Sequence, residues 1–214
     1  MKLKYILAVV FALTFKSLLV AQPRFDVGIH GGPILSTIFG FSNSNLMKLS
    51  GTAGFLVTRR DNKKNYAQLE INYIRKGSFR LPKDDNPDKI NFSLHYIEAP
   101  LLYRFENLKI SRKGRGGWDL GLSYAYLLAP QLRRNGDLTY FNPILSDKYD
   151  LSVLTGAHII FANHIMIRAR ATYSINPILR RNILPGEIEN FNSQKTHSLT
   201  LQFGVAFLLH GLYY

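Results

Sequence analysis

The possibilities for this chain narrow at His197–Leu209, His-Ser-Leu-Thr-Leu-Gln-Phe-Gly-Val-Ala-Phe-Leu-Leu. Every second residue from Leu199 gives Leu199, Leu201, Phe203, Val205, Phe207 and Leu209 on one face. Ser198, Thr200, Gln202, Gly204 and Ala206 fall on the other. Successive side chains of a strand point to opposite faces, so this segment has one apolar side and one small, polar side. In a soluble sheet the apolar side meets a core; in a membrane barrel it meets lipid and the polar side lines the interior.

The same alternation recurs along the chain. A first strand follows Arg24, with Phe25, Val27 and Ile29 on one face, and Gly31-Gly32-Pro33 is expected to end it, leaving 32–48 as a loop. Further strands are expected at Leu49–Thr58, Tyr66–Lys76, Phe92–Phe105, Gly117–Leu128, Lys148–Phe161 and Ile165–Ile175, with His197–Leu209 the eighth. Pro100 lacks a ladder donor and predicts a bulge or local break in the fourth. From the third strand onward the apolar face holds no charge. The opposite face carries Glu70, Glu98, Arg104, Asp119, Asp150, Arg168 and Arg170 among Gly, Ser and Thr.

A soluble ligand-binding barrel shows the reverse, apolar within and charged without. Charges facing lipid are costly, so their absence from one face selects the membrane environment. The expected fold is therefore all-β: an eight-stranded antiparallel up-and-down transmembrane β-barrel. Connections after odd strands are long and those after even strands shorter (106–116 is intermediate), matching long extracellular loops and short periplasmic turns. Phe25, Phe105, Trp118, Phe161 and Phe207 fall near one rim and Tyr73, Tyr126, Tyr149 and Tyr173 near the other, as interfacial girdles do. Eight strands enclose just enough room for their own side chains, which argues against an open pore.

Met-Lys-Leu-Lys, an apolar run from Tyr5 to Phe15 and Leu-Val-Ala-Gln at 19–22 read as a secretory signal, residues 1–21, cut after Ala21. Lys16 interrupts the run, against a spanning helix. Residues 22–214 then form one barrel domain. There is no cysteine for lipid attachment or disulfides. The formal charge of +13 falls to +10 without Lys2, Lys4 and Lys16. An exported basic chain without a basic helix or basic–aromatic motif points to lipid phosphate, not nucleic acid, as its anionic partner.

Ala67-Gln-Leu-Glu-Ile-Asn-Tyr-Ile-Arg-Lys-Gly77 followed by Tyr96-Ile-Glu-Ala-Pro-Leu-Leu-Tyr-Arg104 resembles the paired signature of PorT-like outer-membrane β-barrels of Bacteroidetes. The Ala21-Gln22 junction and Gly28, Gly31 and Gly32 fit the same family. The resemblance spans the mature chain as a pattern, without catalytic motifs. It implies an eight-stranded barrel in the outer membrane of a Gram-negative bacterium, and its namesake's role in type IX secretion suggests a link to protein export.

Glu70 and Glu98 stand nearly opposite if the intervening hairpin centres near residue 83 or 84. Two such carboxylates could perform acid–base chemistry. Neutralisation by Arg104, Arg168 and Arg170 in a packed polar plug is the expected alternative, because buried charges need partners. His30 and His158 face inward on distant strands, His164 lies in a turn, and no His/Asp/Glu spacing calls for a metal or cofactor. His197-Ser198 invites comparison with outer-membrane lipid hydrolases, but adjacent strand residues point to opposite faces. At the outer strand ends, Arg75, Lys76, Arg80, Arg133, Arg134, Arg180, Arg181 and Lys195 are candidates for lipopolysaccharide phosphates or for ordinary loop solvation. Arg59–Lys64 and Arg112-Lys113-Gly114-Arg115 read as solvated periplasmic turns, with contact to a periplasmic partner the alternative.

The functional expectation is a non-catalytic structural or interaction subunit of an outer-membrane complex. It would contact outer-membrane lipids and lipopolysaccharide, and another outer-membrane or periplasmic protein through loops 129–147 and 176–196. A narrow channel for small solutes or ions is the alternative, and a lipid hydrolase a third.

Overall fold

The computed structural model describes residues 25–39, 46–60, 64–80, 89–111, 114–135, 137–140, 148–162, 164–178 and 196–210. Regular structure within them is entirely β: β1 (Phe25–Phe39), β2 (Leu46–Arg60), β3 (Asn65–Arg80), β4 (Ile90–Ser111), β5 (Gly114–Arg134), β6 (Asp137–Tyr140), β7 (Tyr149–Phe161), β8 (Ile165–Ser174) and β9 (His197–His210). Every pairing is antiparallel. Strand β9 returns to β1, β4 pairs with β5, and β5 pairs with β7, so eight strands close a ring. The short β6 stands outside it, paired only to the far end of β5.

The eight strands expected from alternation are all present, because a period of two fixes which side chains share a face whatever the strand's partner. Outward residues are apolar and open, such as Phe55 at 68%, Trp118 at 60% and Leu101 at 60% exposure. Inward ones include Glu70, Arg104 and Arg168, all at 2% or less. So wide an apolar surface belongs in lipid.

Three boundaries differ from the sequence expectation. Gly31-Gly32-Pro33 does not end β1, which continues to Phe39 with its β2 register unbroken through Gly31↔Ala53, Gly32↔Thr52 and Pro33↔Gly51. The disturbance lies on the β9 side, where Gly32 and Pro33 are skipped between Gly31↔Val205 and Ile34↔Gln202. There a Cβ on Gly32 would stand 2.1 Å from the Phe203 carbonyl oxygen, so only glycine allows the approach. Residues 106–111 and 114–116, expected in a connection, instead extend β4 and β5. The 129–147 segment is in part a hairpin: Asn135, at φ 53°, turns β5 back into β6, and its amide donates to the Lys89 carbonyl at 3.0 Å. The Asn135-Gly136 dipeptide was the sequence signal for that turn.

At Pro100 the β3–β4 pairing is interrupted between Leu69↔Leu101 and Asn72↔Glu98, while Pro100↔Ser123 continues on the β5 side. The prolyl nitrogen has no hydrogen to offer β3.

The lumen is less uniformly polar than the alternation suggested. Toward the long-loop end Ile34, Ile38, Ile74, Phe92, Leu94, Leu127 and Ile178 form a buried apolar cluster. Toward the short-turn end Leu56, Ile160, Met166, Ala206 and Leu208 form another. The charged residues lie in the interior between and beside these clusters.

Candidate functional site

Inside the barrel, Glu70 of β3 is the hub. Its Oε1 receives Arg168 Nη1 at 2.5 Å and Arg170 Nη1 at 2.9 Å, both from β8. Gln68 also donates to Oε1, and Asn72 Nδ2 donates to Oε2 at 3.0 Å. Arg168 Nη2 contacts His30 Nδ1 at 2.5 Å. A guanidinium can only donate, so Nδ1 accepts and the imidazole is neutral with its proton on Nε2. That proton goes to Asn72 Oδ1 at 2.7 Å.

Asp119 of β5 forms the second node. His158 Nδ1 lies 2.8 Å from its Oδ1, Arg170 Nε 3.4 Å from Oδ2, and Arg104 Nε 3.7 Å from Oδ1. Arg104 Nη1 donates to Gln68 Oε1 at 2.8 Å and Nη2 to Glu106 Oε1 at 3.2 Å, and its guanidinium lies over the Tyr66 ring. Arg115 Nη1 meets Glu106 Oε2 at 3.3 Å and donates to the Tyr66 hydroxyl at 3.2 Å. With its side chain one-third exposed, Arg115 carries the network to the short-turn mouth.

A third group sits on the far side. Lys76 Nζ bridges Asp150 Oδ2 at 2.9 Å and Glu98 Oε1 at 3.4 Å, with the Tyr96 ring beside it. Ser152 Oγ donates to Asp150 Oδ1 at 3.1 Å.

All seven lumen candidates, Glu70, Glu98, Arg104, Asp119, Asp150, Arg168 and Arg170, are buried inside. Their partners differ from the expectation in two ways. The β3–β4 register pairs Asn72 with Glu98, so Glu70 and Glu98 are offset rather than opposite. Glu98 is neutralised by Lys76, not by an arginine. Lys76 itself, assigned to the outer rim with the phosphate-binding candidates, is buried in the lumen at 1% exposure. Its flexible stem lets an ammonium on an outer-end residue reach inward past the apolar cluster.

Glu106 and Arg115 were missed. Glu106 continues the alternation past Phe105, where the strand was expected to stop, and Arg115 was read as part of a solvated turn. With them, among the described residues five carboxylates (Glu70, Glu98, Glu106, Asp119, Asp150) face five cations (Lys76, Arg104, Arg115, Arg168, Arg170), and these ion-paired groups carry no net formal charge.

Of the remaining rim candidates, Arg75 and Arg133 are exposed, and Arg80 and Arg134 occupy the outer ends of β3 and β5. Arg180, Arg181 and Lys195 lie outside the described residues, as does most of loop 176–196. Ser198 is buried, whereas His197 Nδ1 donates to the Ser174 carbonyl at 3.0 Å and its ring stacks on Tyr173, an outward residue. The two do not face each other.

A closed ring of eight antiparallel strands, apolar outside and charged within, defines a transmembrane barrel of the outer-membrane type. Residues 20–180 match the model of the outer membrane protein β-barrel domain family, and the chain belongs to that family. Its place is accordingly the outer membrane. No curated protein sequence matches the chain.

Among solved structures, Neisserial surface protein A is similar at 15% identity over 86% of this chain and 96% of its own, with a TM-score of 0.48. OprG of Pseudomonas aeruginosa is similar at 13% over 88% and 98%, with a TM-score of 0.48. Ail of Yersinia pestis, in complex with the heparin analogue sucrose octasulfate, gives 11% over 87% and 99% and a TM-score of 0.44.

Proposed function

We propose that the protein is a non-catalytic outer-membrane barrel that serves as a structural or interaction subunit, with a plugged lumen. The observation that carries this reading is the paired charge network: Glu70, Asp119 and Lys76 each bind groups from two or more strands, and Arg104 and Arg168 are fully buried. Ion pairs so deeply desolvated hold strands together and leave little for a passing solute. A barrel that neither reacts nor conducts acts through its surfaces, and those are the loops at the long-loop end.

The segments resembling PorT-like barrels support a secretion-linked complex in a Bacteroidetes outer membrane. They supply Gln68, Glu70, Asn72, Lys76, Glu98 and Arg104, all inward, so the resemblance runs along the wall that carries the network. A pull-down of the tagged protein from its own membrane in mild detergent tests the reading. A stoichiometric translocon or transporter partner supports it; a solitary barrel counts against it. Conductance in planar bilayers would favour the narrow channel, and turnover of added lipid the hydrolase.

A further inference from the structure

At the long-loop end of β2 the register slips between Met47 and Thr52, and the ladder to β3 is broken there. Ser36 of β1 reaches across this break to β3. Its hydroxyl donates to the Gly77 carbonyl at 3.1 Å and accepts from the Gly77 amide at 2.9 Å, while Ser50 caps the Arg75 carbonyl. Paired with Ser36 of β1 but with no partner on β3, Lys48 passes over Gly77, where a Cβ would lie 3.1 Å from its Cδ. Its ammonium then lands on β4, at Asn91 Oδ1 (2.5 Å), the Phe92 carbonyl (3.1 Å) and the Ser93 hydroxyl.

This is the outer side of the wall. Phe92 and Leu94 point into the lumen cluster, so Asn91 and Ser93, which alternate with them, point outward. Lys48, Arg75, Asn91, Ser93, Gln131 and Arg133 line one cleft of about 380 Å³ there, with the apolar Leu49 and Phe79 at its edge. Three cations share it. Arg75 and Arg133 both repel the Lys48 ammonium, which is only 8% exposed, and among the described residues no carboxylate forms an ion pair with any of the three. Two arginines crowding a buried ammonium, with no carboxylate paired to any of the three among the described residues, are unfavourable, and a bound anion relieves them.

The height of the cleft names the anion. Tyr73 and Tyr126 mark the outer aromatic level, and the cleft runs from Arg75 to Phe79, two to six residues beyond Tyr73. At the rise of a tilted strand that is roughly 5–15 Å above the aromatic ring, at the headgroups of the outer leaflet. We propose that Lys48, Arg75 and Arg133 form a site for the phosphate group of an outer-leaflet lipid. Arginine forks and a fixed ammonium suit a phosphate monoester. The proposal rests on the outer-membrane placement, not on any protein partner.

The test uses the full barrel, purified in detergent, with native mass spectrometry of added bis-phosphorylated lipid A and of its dephosphorylated form. The expected result is one lipid A per barrel, with binding about tenfold or more weaker for the dephosphorylated lipid and for R75Q/R133Q. Lys48→Gln should weaken it similarly, and retained heat-shifted gel mobility reports folding of each variant. Should Lys48→Gln fail to fold, the two exposed arginines keep the test intact. Equal binding by R75Q/R133Q overturns the proposal, as does displacement by millimolar inorganic phosphate, which would make this a site for a free anion. Either failure leaves the subunit reading untouched, since that is decided by the pull-down.

Discussion

Glu70 of β3 and Arg168 of β8 meet at 2.5 Å across the interior, although 98 residues separate them in the chain. Neither strand pairs with the other. The contact therefore ties opposite walls of the barrel, and with Arg170 it makes Glu70 the point on which the lumen's electrostatics turn.

Replacing Arg168 and Arg170 together by Ala leaves Glu70 buried with no full cation and should destabilise the barrel by about 3–5 kcal/mol. Urea unfolding in detergent micelles, followed by gel mobility, measures this. Adding Glu70→Leu should recover much of the loss, because the stranded charge goes with it. No recovery would assign the cost to lost arginine packing instead.

Lys76 should resist amine-reactive reagents in the folded barrel, while exposed Lys109 reacts. Mass mapping of the modified sites reads the difference directly. Lys76→Met should cost several kcal/mol, roughly the 3–5 kcal/mol of a broken buried pair, because Glu98 and Asp150 both lose their cation. A rim lysine would label freely and be replaced without loss.

The wild-type barrel should show no steady conductance steps in planar bilayers. The interior holds a charge-balanced network of buried side chains, and Phe92 and Leu94 are buried in the apolar cluster toward its outer end. Reproducible unitary steps would mean a water path past these groups and would favour the channel.

Gly32→Val should weaken closure of β1 on β9 by roughly 1–3 kcal/mol, through overpacking against the Phe203 carbonyl. Gly51→Ala is the control. Its new methyl would meet nothing nearer than the Gly32 carbonyl oxygen at 3.8 Å, so a change within about 0.5 kcal/mol is expected. Equal losses at both positions would point to strand entropy rather than the close approach.

The barrel itself was legible in single residues. Trp118, Leu120 and Leu122 alternate with Asp119, Gly121 and Ser123, and no knowledge of neighbouring strands is needed to send the first set to lipid. The short β6 was legible too, through Asn135-Gly136, but was passed over in a loop judged only by its length.

Pairings inside the lumen were not legible, and the reason is register. A shift by two residues in β3–β4 moves Glu98 from Glu70 to Asn72, and because it keeps every side chain on its face nothing in the alternation distinguishes the two. Lys76 adds a second difficulty, since a long side chain is charged at a point far from its Cα. Alternation along each strand thus determined by itself the all-β barrel and which face meets lipid, since side-chain direction is a local property of a strand. Only the tertiary structure decided which charge neutralises which, where Lys48 and Lys76 reach, and how the apolar clusters fill the lumen's ends. Those depend on how strands distant in sequence are staggered around the ring.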